Sequence, residues 1–153
     1  MIGAIPNPKK TLEIDFSVEQ ITSTIIFIPL KDNKYKFTSK NDILKTFRFE
    51  AMEFLSLGVY IDISVSSISD TKCKIEIEVS RKIGAFDQSY EVSKANDHIA
   101  NIATLMSECV VLTPTEIKDL EEKKNAVVEK KGCGKTAAIF LFITIGTAAA
   151  ILF

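Results

Sequence analysis

His98 is the only histidine in the chain, and imidazole is the side chain best suited to moving a proton near neutral pH. General-base work also needs a nucleophile within reach and an acid that orients the ring. Cys109 lies eleven residues on, on an apolar helical stripe with Ile102 and Leu105, and reads as a buried apolar side chain. His98 sits at the edge of that stripe beside Asn96 and Asp97, and reads as a surface or boundary residue. Zinc needs three or four ligands; one histidine and the scattered Cys73, Cys109 and Cys133 give no ligand spacing. Gly132-Cys133-Gly134-Lys135-Thr136 looks like the end of a phosphate-binding loop, but Glu129 stands where that loop needs its first glycine. The sequence also lacks G-x-S-x-G, H-E-x-x-H and G-x-G-x-x-G. We expect no catalytic, cofactor-binding or metal-ligating residues, no cofactor, and no enzymatic activity.

The elements that would position any site come from periodicity. Leu12, Ile14 and Phe16 alternate with Glu13 and Asp15, which predicts a half-buried strand. Ser17 and Gln20 form a capping box. Val18, Ile21, Ile25 and Ile28 come next at helical spacing, with Pro29 limiting that helix. Tyr35 and Phe37 mark a short strand, Asn41-Asp42 a turn, and Phe47, Phe49 and Ala51 the next strand. Val59, Ile61, Ile63 and Val65 form another, Ser69-Asp70 a turn, and Cys73, Ile75, Ile77 and Val79 the last. A helix from about Glu91 to Leu112 buries Ile99, Ile102, Leu105, Met106 and Cys109. The result is an α+β domain over residues 1–112, in the order β-α-β-β-β-β-α. Its antiparallel sheet would carry two helices on one face, with Lys36, Arg48, Glu50, Tyr60, Asp62 and Glu76 among the residues of the wet face. Cys73 shares parity with Ile75 and Ile77. The odd cysteine count fits a reducing compartment better than a disulfide framework, with one disulfide left open.

Thr113, Pro114 and Glu116 start a second capped helix. It would run to about Lys131 as a mostly solvated stalk, with residues 113–135 joining the domain to the C-terminal segment through Gly132 and Gly134. Thr136–Phe153 has no charge and no proline. Its eighteen residues span about 27 Å as a helix, close to the hydrocarbon thickness of a bilayer. Ile139, Phe140, Leu141, Phe142, Ile143, Ile145, Ile151, Leu152 and Phe153 are apolar all round that helix. We therefore expect a C-terminal transmembrane anchor over 136–153, a deep interfacial or half-inserted helix being the alternative geometry. Lys130, Lys131 and Lys135 precede it and place the domain on the cytoplasmic side in a tail-anchored layout. Met1 to Pro8 shows no secretory signal pattern.

Charge narrows the partners. Residues 1–113 hold 13 Lys/Arg and 15 Asp/Glu, a mildly acidic balance that disfavours nucleic acid as the main partner. Lys31, Lys34, Lys36, Lys40 and Lys45 cluster after the first helix, diluted by Asp32 and Asp42. They fit either an anionic-lipid or acidic-partner patch or a solvated edge strand guarded by lysines. Phe86 and Tyr90, between the last strand and the long helix, could anchor a partner or plug the end of the core.

The order of elements over residues 11–112 resembles the TATA-box-binding-protein-like fold, and is similar to a reduced helix-grip fold of the START and Bet v 1 kind. The first resemblance implies a nucleic-acid-binding sheet face, which the mixed charge of this face does not support. The second implies a ligand cavity between sheet and helices. There are two functional expectations. The leading one is a non-enzymatic, membrane-tethered interaction module whose partners are membrane lipid and an unidentified protein, with Phe86, Tyr90, Lys34 and Lys36 as contact residues. The alternative is a small binder of a lipid or apolar ligand.

Overall fold

Alternating residues form strands where the pattern predicts them. In the computed structural model, which describes residues 5–52 and 57–131 with side chains as far as Lys123, β1 is Lys9–Ile14, β2 Tyr35–Asn41, β3 Thr46–Ala51, β4 Val59–Ser69 and β5 Lys72–Arg81. They make one antiparallel sheet in the order β1-β5-β4-β3-β2. The central strand β4 sets Ile61 between Phe49 and Val79, and Ile63 between Phe47 and Ile77. All six are buried, while their neighbours Arg48, Tyr60, Asp62 and Glu78 face outward. β1 closes one edge on β5, so Leu12 and Ile14 stay only half-buried.

The helices lie against the apolar face. α1 (Val18–Ile25) starts at the expected capping box, in which Ser17 Oγ accepts from Gln20 N–H at 3.2 Å and Gln20 Oε1 accepts from Ser17 N–H at 3.0 Å. The single helix expected to run as far as Pro29 is two. α1 stops at Ile25, and a short α2 (Ile28–Lys31) begins with Pro29 in its first turn. Proline lacks the N–H that the interior of a helix needs, but a first turn leaves that group without an intrahelical partner anyway. Ile21, Ile25 and Ile28 are still all fully buried. The long helix α3 (Ser89–Val110) buries Ala95, Ile99, Ile102, Met106 and Cys109, with Leu105 half-buried at the margin. α4 (Pro114–Lys131) comes directly after it. Thr113 and Glu116 make the expected cap: Glu116 Oε2 accepts from Thr113 N–H at 2.8 Å, and Glu116 N–H donates to Thr113 Oγ1 at 3.4 Å. The bonds that Thr113 donates hold the Glu116 carboxyl below its usual range. Ile117 and Leu120 are half-buried and their neighbours exposed, as for a largely solvated helix.

One glycine is required by geometry. Gly58 enters β4 at φ +88°, and a Cβ there would collide with the carbonyl oxygen of Ala51. Gly58→Ala is expected to lower the stability of the domain by about 2 kcal/mol, the usual scale for a strained backbone position. Gly84→Ala has a similar φ of +76° but open space around the new methyl, so it should cost visibly less in parallel thermal melts.

Among the described residues no helix is long and apolar enough to cross a membrane. The segment expected to do so, 136–153, and Lys135 before it lie outside the described residues.

Candidate functional site

Where α3 crosses the β1 edge, the apolar layer is incomplete. Leu12 and Ile14 of β1, Ile75 of β5, Ile21 of α1, and Ala103, Met106 and Val110 of α3 surround a cleft of about 80 Å³, with Phe16 and Ser107 completing its lining. Its sequence origin is plain. Ala103 contributes only a methyl group to a helix that elsewhere offers Ile99, Ile102 and Met106. Phe16, expected to continue the strand, lies beyond β1 at the turn into α1 and is 37% exposed. Ser107 supplies the one side-chain polar group in the lining. The cleft can hold aliphatic carbon, its lining carries no titratable side chain, and the Ser107 hydroxyl donates to the Thr104 carbonyl at 2.7 Å. A dry cavity of about 150 Å³ takes benzene, and drug-sized ligands fill about 300–1,000 Å³. This space therefore suits a slender group such as part of an alkyl chain.

His98 overturns its expected position. It is 1% exposed rather than at the surface. Its Nδ1 lies 3.2 Å from the hydroxyl of Tyr35, itself fully buried, and the rings meet edge to face at 5.7 Å. A buried polar ring needs a hydrogen-bond partner. Here it comes from β2, 63 residues away, whereas the sequence neighbours Asn96 and Asp97 suggest a wet surface. The pair ties α3 to the sheet edge.

The cysteines behave as packing residues. Cys73 and Cys109 are buried free thiols, so the disulfide left open does not join them. Burial raises the Cys73 thiol above its ordinary value and pushes Cys109 up to about 11. Near neutral pH both are protonated, and the thiol rather than the thiolate is a poor nucleophile. No group of three or more His, Cys, Asp or Glu side chains that could hold a metal ion occurs among the described residues.

The outer face of the sheet is a network of ion pairs. Arg48 donates to both oxygens of Asp62, at 2.7 and 2.9 Å. Lys82 donates to Glu50 at 2.6 Å, and this bond holds the Glu50 carboxyl below its usual range. Both cations lie over the Tyr60 ring, Arg48 at 5.2 Å and Lys82 at 5.4 Å from its centroid. Lys9 pairs with Glu76 and Lys72 with Glu13.

Of the four residues expected to meet a partner, Phe86 is buried and the other three are exposed. Phe86 is 2% exposed, and its carbonyl accepts from Ile5 N–H at 2.8 Å. It plugs the end of the core and is not presented outward. Tyr90 is 67% exposed in the first turn of α3, with Lys94 over its ring. Lys34 and Lys36 are exposed at the β2 edge. Lys130 and Lys131 form the last turn of α4. Sequence reasoning places a ligand between sheet and helices but does not locate the cleft. The available signal is the small Ala103 on the buried side of α3.

The element order, with two short helices between the first two strands and a long helix after the meander, is the helix-grip arrangement in reduced form. Three solved structures are similar to this chain. CalU16 from Micromonospora echinospora is 10% identical, the match covers 83% of this chain and 92% of that one, and the TM-score is 0.50. A point mutant of norcoclaurine synthase from Thalictrum flavum is 11% identical over 72% and 98% of the two chains, with TM-score 0.49. A START superfamily protein from Mycobacterium smegmatis is 13% identical over 68% and 96%, with TM-score 0.43. The topology is that of a reduced helix-grip fold, and these likenesses carry no family or role to this chain. No family model matches the chain, and no curated protein matches it by sequence.

Proposed function

We propose that the domain is a non-enzymatic binder of a slender apolar chain, such as the end of a lipid acyl tail, held near a membrane by residues 136–153. The observation that carries this reading is the apolar cleft between α3 and β1. Its lining favours hydrocarbon by burial alone, and its size admits part of a chain while the remainder stays outside, in detergent or lipid. A tether would keep the cleft at a high effective concentration of such chains. The absence of any titratable side chain from its lining supports binding over catalysis. The pairing of Arg48, Lys82, Lys9 and Lys72 with carboxylates supports leaving nucleic acid out of the partners.

The test uses the full chain in mild detergent and a fatty acid carrying a photoactivatable diazirine near its methyl end. Label should appear in peptides containing Leu12–Phe16 and Ala103–Val110. Ala103→Leu fills the cleft and displaces about two methylene groups of ligand, worth about 1.6 kcal/mol, or a little over tenfold in affinity. The same change at the exposed Ala100 should leave labelling intact. Labelling that ignores Ala103→Leu, or that maps elsewhere, removes the cleft as the binding site.

A further inference from the structure

The connection between β2 and β3 places two large aliphatic side chains where a water-facing turn would carry polar ones. Ile43 is 91% exposed and Leu44 66%. Their backbone is nevertheless held. Asn41 Oδ1 accepts from the N–H groups of both Ile43 and Leu44, each at 3.0 Å. The next carbonyl, that of Lys45, accepts from Val65 N–H at 3.0 Å. These polar groups already have partners inside the protein, so the tip can leave water without stranding them. Charge complements the apolar pair. Residues 34–46 hold Lys34, Lys36, Lys40 and Lys45 against Asp42, four positive and one negative, for a net of +3. Asp42 is itself paired with Lys40 at 3.2 Å. Lysine stems can lie along hydrocarbon while their ammonium groups reach phosphates. Strand pairing puts the β4–β5 turn at the same end of the sheet, where Ile68 is 49% exposed.

We infer that the β2–β3 tip docks on an anionic lipid surface, with Ile43 and Leu44 seated among the headgroups and Lys40 and Lys45 on the phosphates. An amphipathic tip of this kind gains from apolar burial and from attraction to anionic lipid together. This contact rests neither on the cleft nor on its ligand.

The chain has no tryptophan, so one introduced indole reports its own surroundings. Full-length Ile43→Trp, and separately Leu44→Trp, is mixed with phosphatidylcholine vesicles with or without phosphatidylserine, each also prepared with brominated acyl chains. With phosphatidylserine, emission should move to the blue and be quenched by the bromines. Without it, both effects should be much smaller. Tyr90→Trp, in the first turn of α3, should stay in water. Adding Lys40→Glu and Lys45→Glu to Ile43→Trp should abolish the shift. Raising salt from 0.1 to 1 M, which shortens the Debye length from about 10 to about 3 Å, should reduce it. The proposal is overturned if tip emission ignores vesicles, if Tyr90→Trp is quenched equally, or if the glutamate pair changes nothing. A shift produced by added protein and not by vesicles would also overturn it, making the tip a protein-docking site. Alkyl labelling of the parent chain that maps outside Leu12–Phe16 and Ala103–Val110, with a preserved tip shift, would fault the cleft reading alone.

Discussion

Ile61→Asp unfolds the domain, while Asp62→Ser leaves it within about 1 kcal/mol of the parent, the range of an exposed ion pair. Ile61 is fully buried on the central strand, between Phe49 and Val79. A carboxylate there meets only hydrocarbon, and burying such a group without a partner costs several kcal/mol. The whole stability of a small domain is about 5–15 kcal/mol. Asp62, the next residue, points to the outer face. Losing it breaks the two bonds from Arg48, but those side chains are 48% and 39% exposed and water replaces the contact. Thermal melts followed by far-ultraviolet circular dichroism decide the matter. Equal losses would mean that the register of β4, and with it the division into apolar and ion-paired faces, is wrong.

That contrast is available because β4 and β5 are legible from sequence. Val59 to Val65 and Cys73 to Val79 alternate without a break, and a period of two admits one register once a face is buried. The capping boxes at Ser17 and Thr113 are equally local, each made by residues three apart. The expectations that fail need information from elsewhere in the chain. The run Val18 to Ile28 keeps helical spacing across the break between α1 and α2, so periodicity alone joins two helices that part at Ile26 and Phe27, ahead of Pro29. His98 looks like a boundary residue because its partner, the Tyr35 hydroxyl, is remote in sequence. The cleft depends on four elements meeting around Ala103, and no window of the sequence contains that meeting. The β2–β3 tip is half legible. Its lysines stand out in the sequence, whereas Ile43-Leu44 passes for part of an ordinary turn. Only their exposure, with the backbone held by Asn41, separates that tip from a common loop.

A chain ending at Gly132 should leave the carbonate-washed membrane pellet and keep the secondary structure of the full domain. Among the described residues the buried hydrophobic core runs from Ile21 to Cys109, and this truncation removes none of that core. It does remove Thr136–Phe153, which has no charged side chain in eighteen residues; a helix of that many residues would measure about 27 Å against a hydrocarbon layer of about 30 Å. Transfer of such a segment into lipid is driven by its Ile, Leu and Phe side chains. One lysine at the centre of a spanning helix costs about 2.5–3.5 kcal/mol on the insertion scale. Ile143→Lys with Ile145→Lys should therefore weaken retention in the same direction as the truncation, in a chain of unchanged length. If the protein ending at Gly132 stays in the washed pellet, residues 136–153 are not what holds it. If it is extracted but unfolded, the domain leans on residues beyond Gly132. If it is extracted and folded, its alkyl-chain labelling can be compared with that of the full chain, which measures how much of the binding depends on the tether.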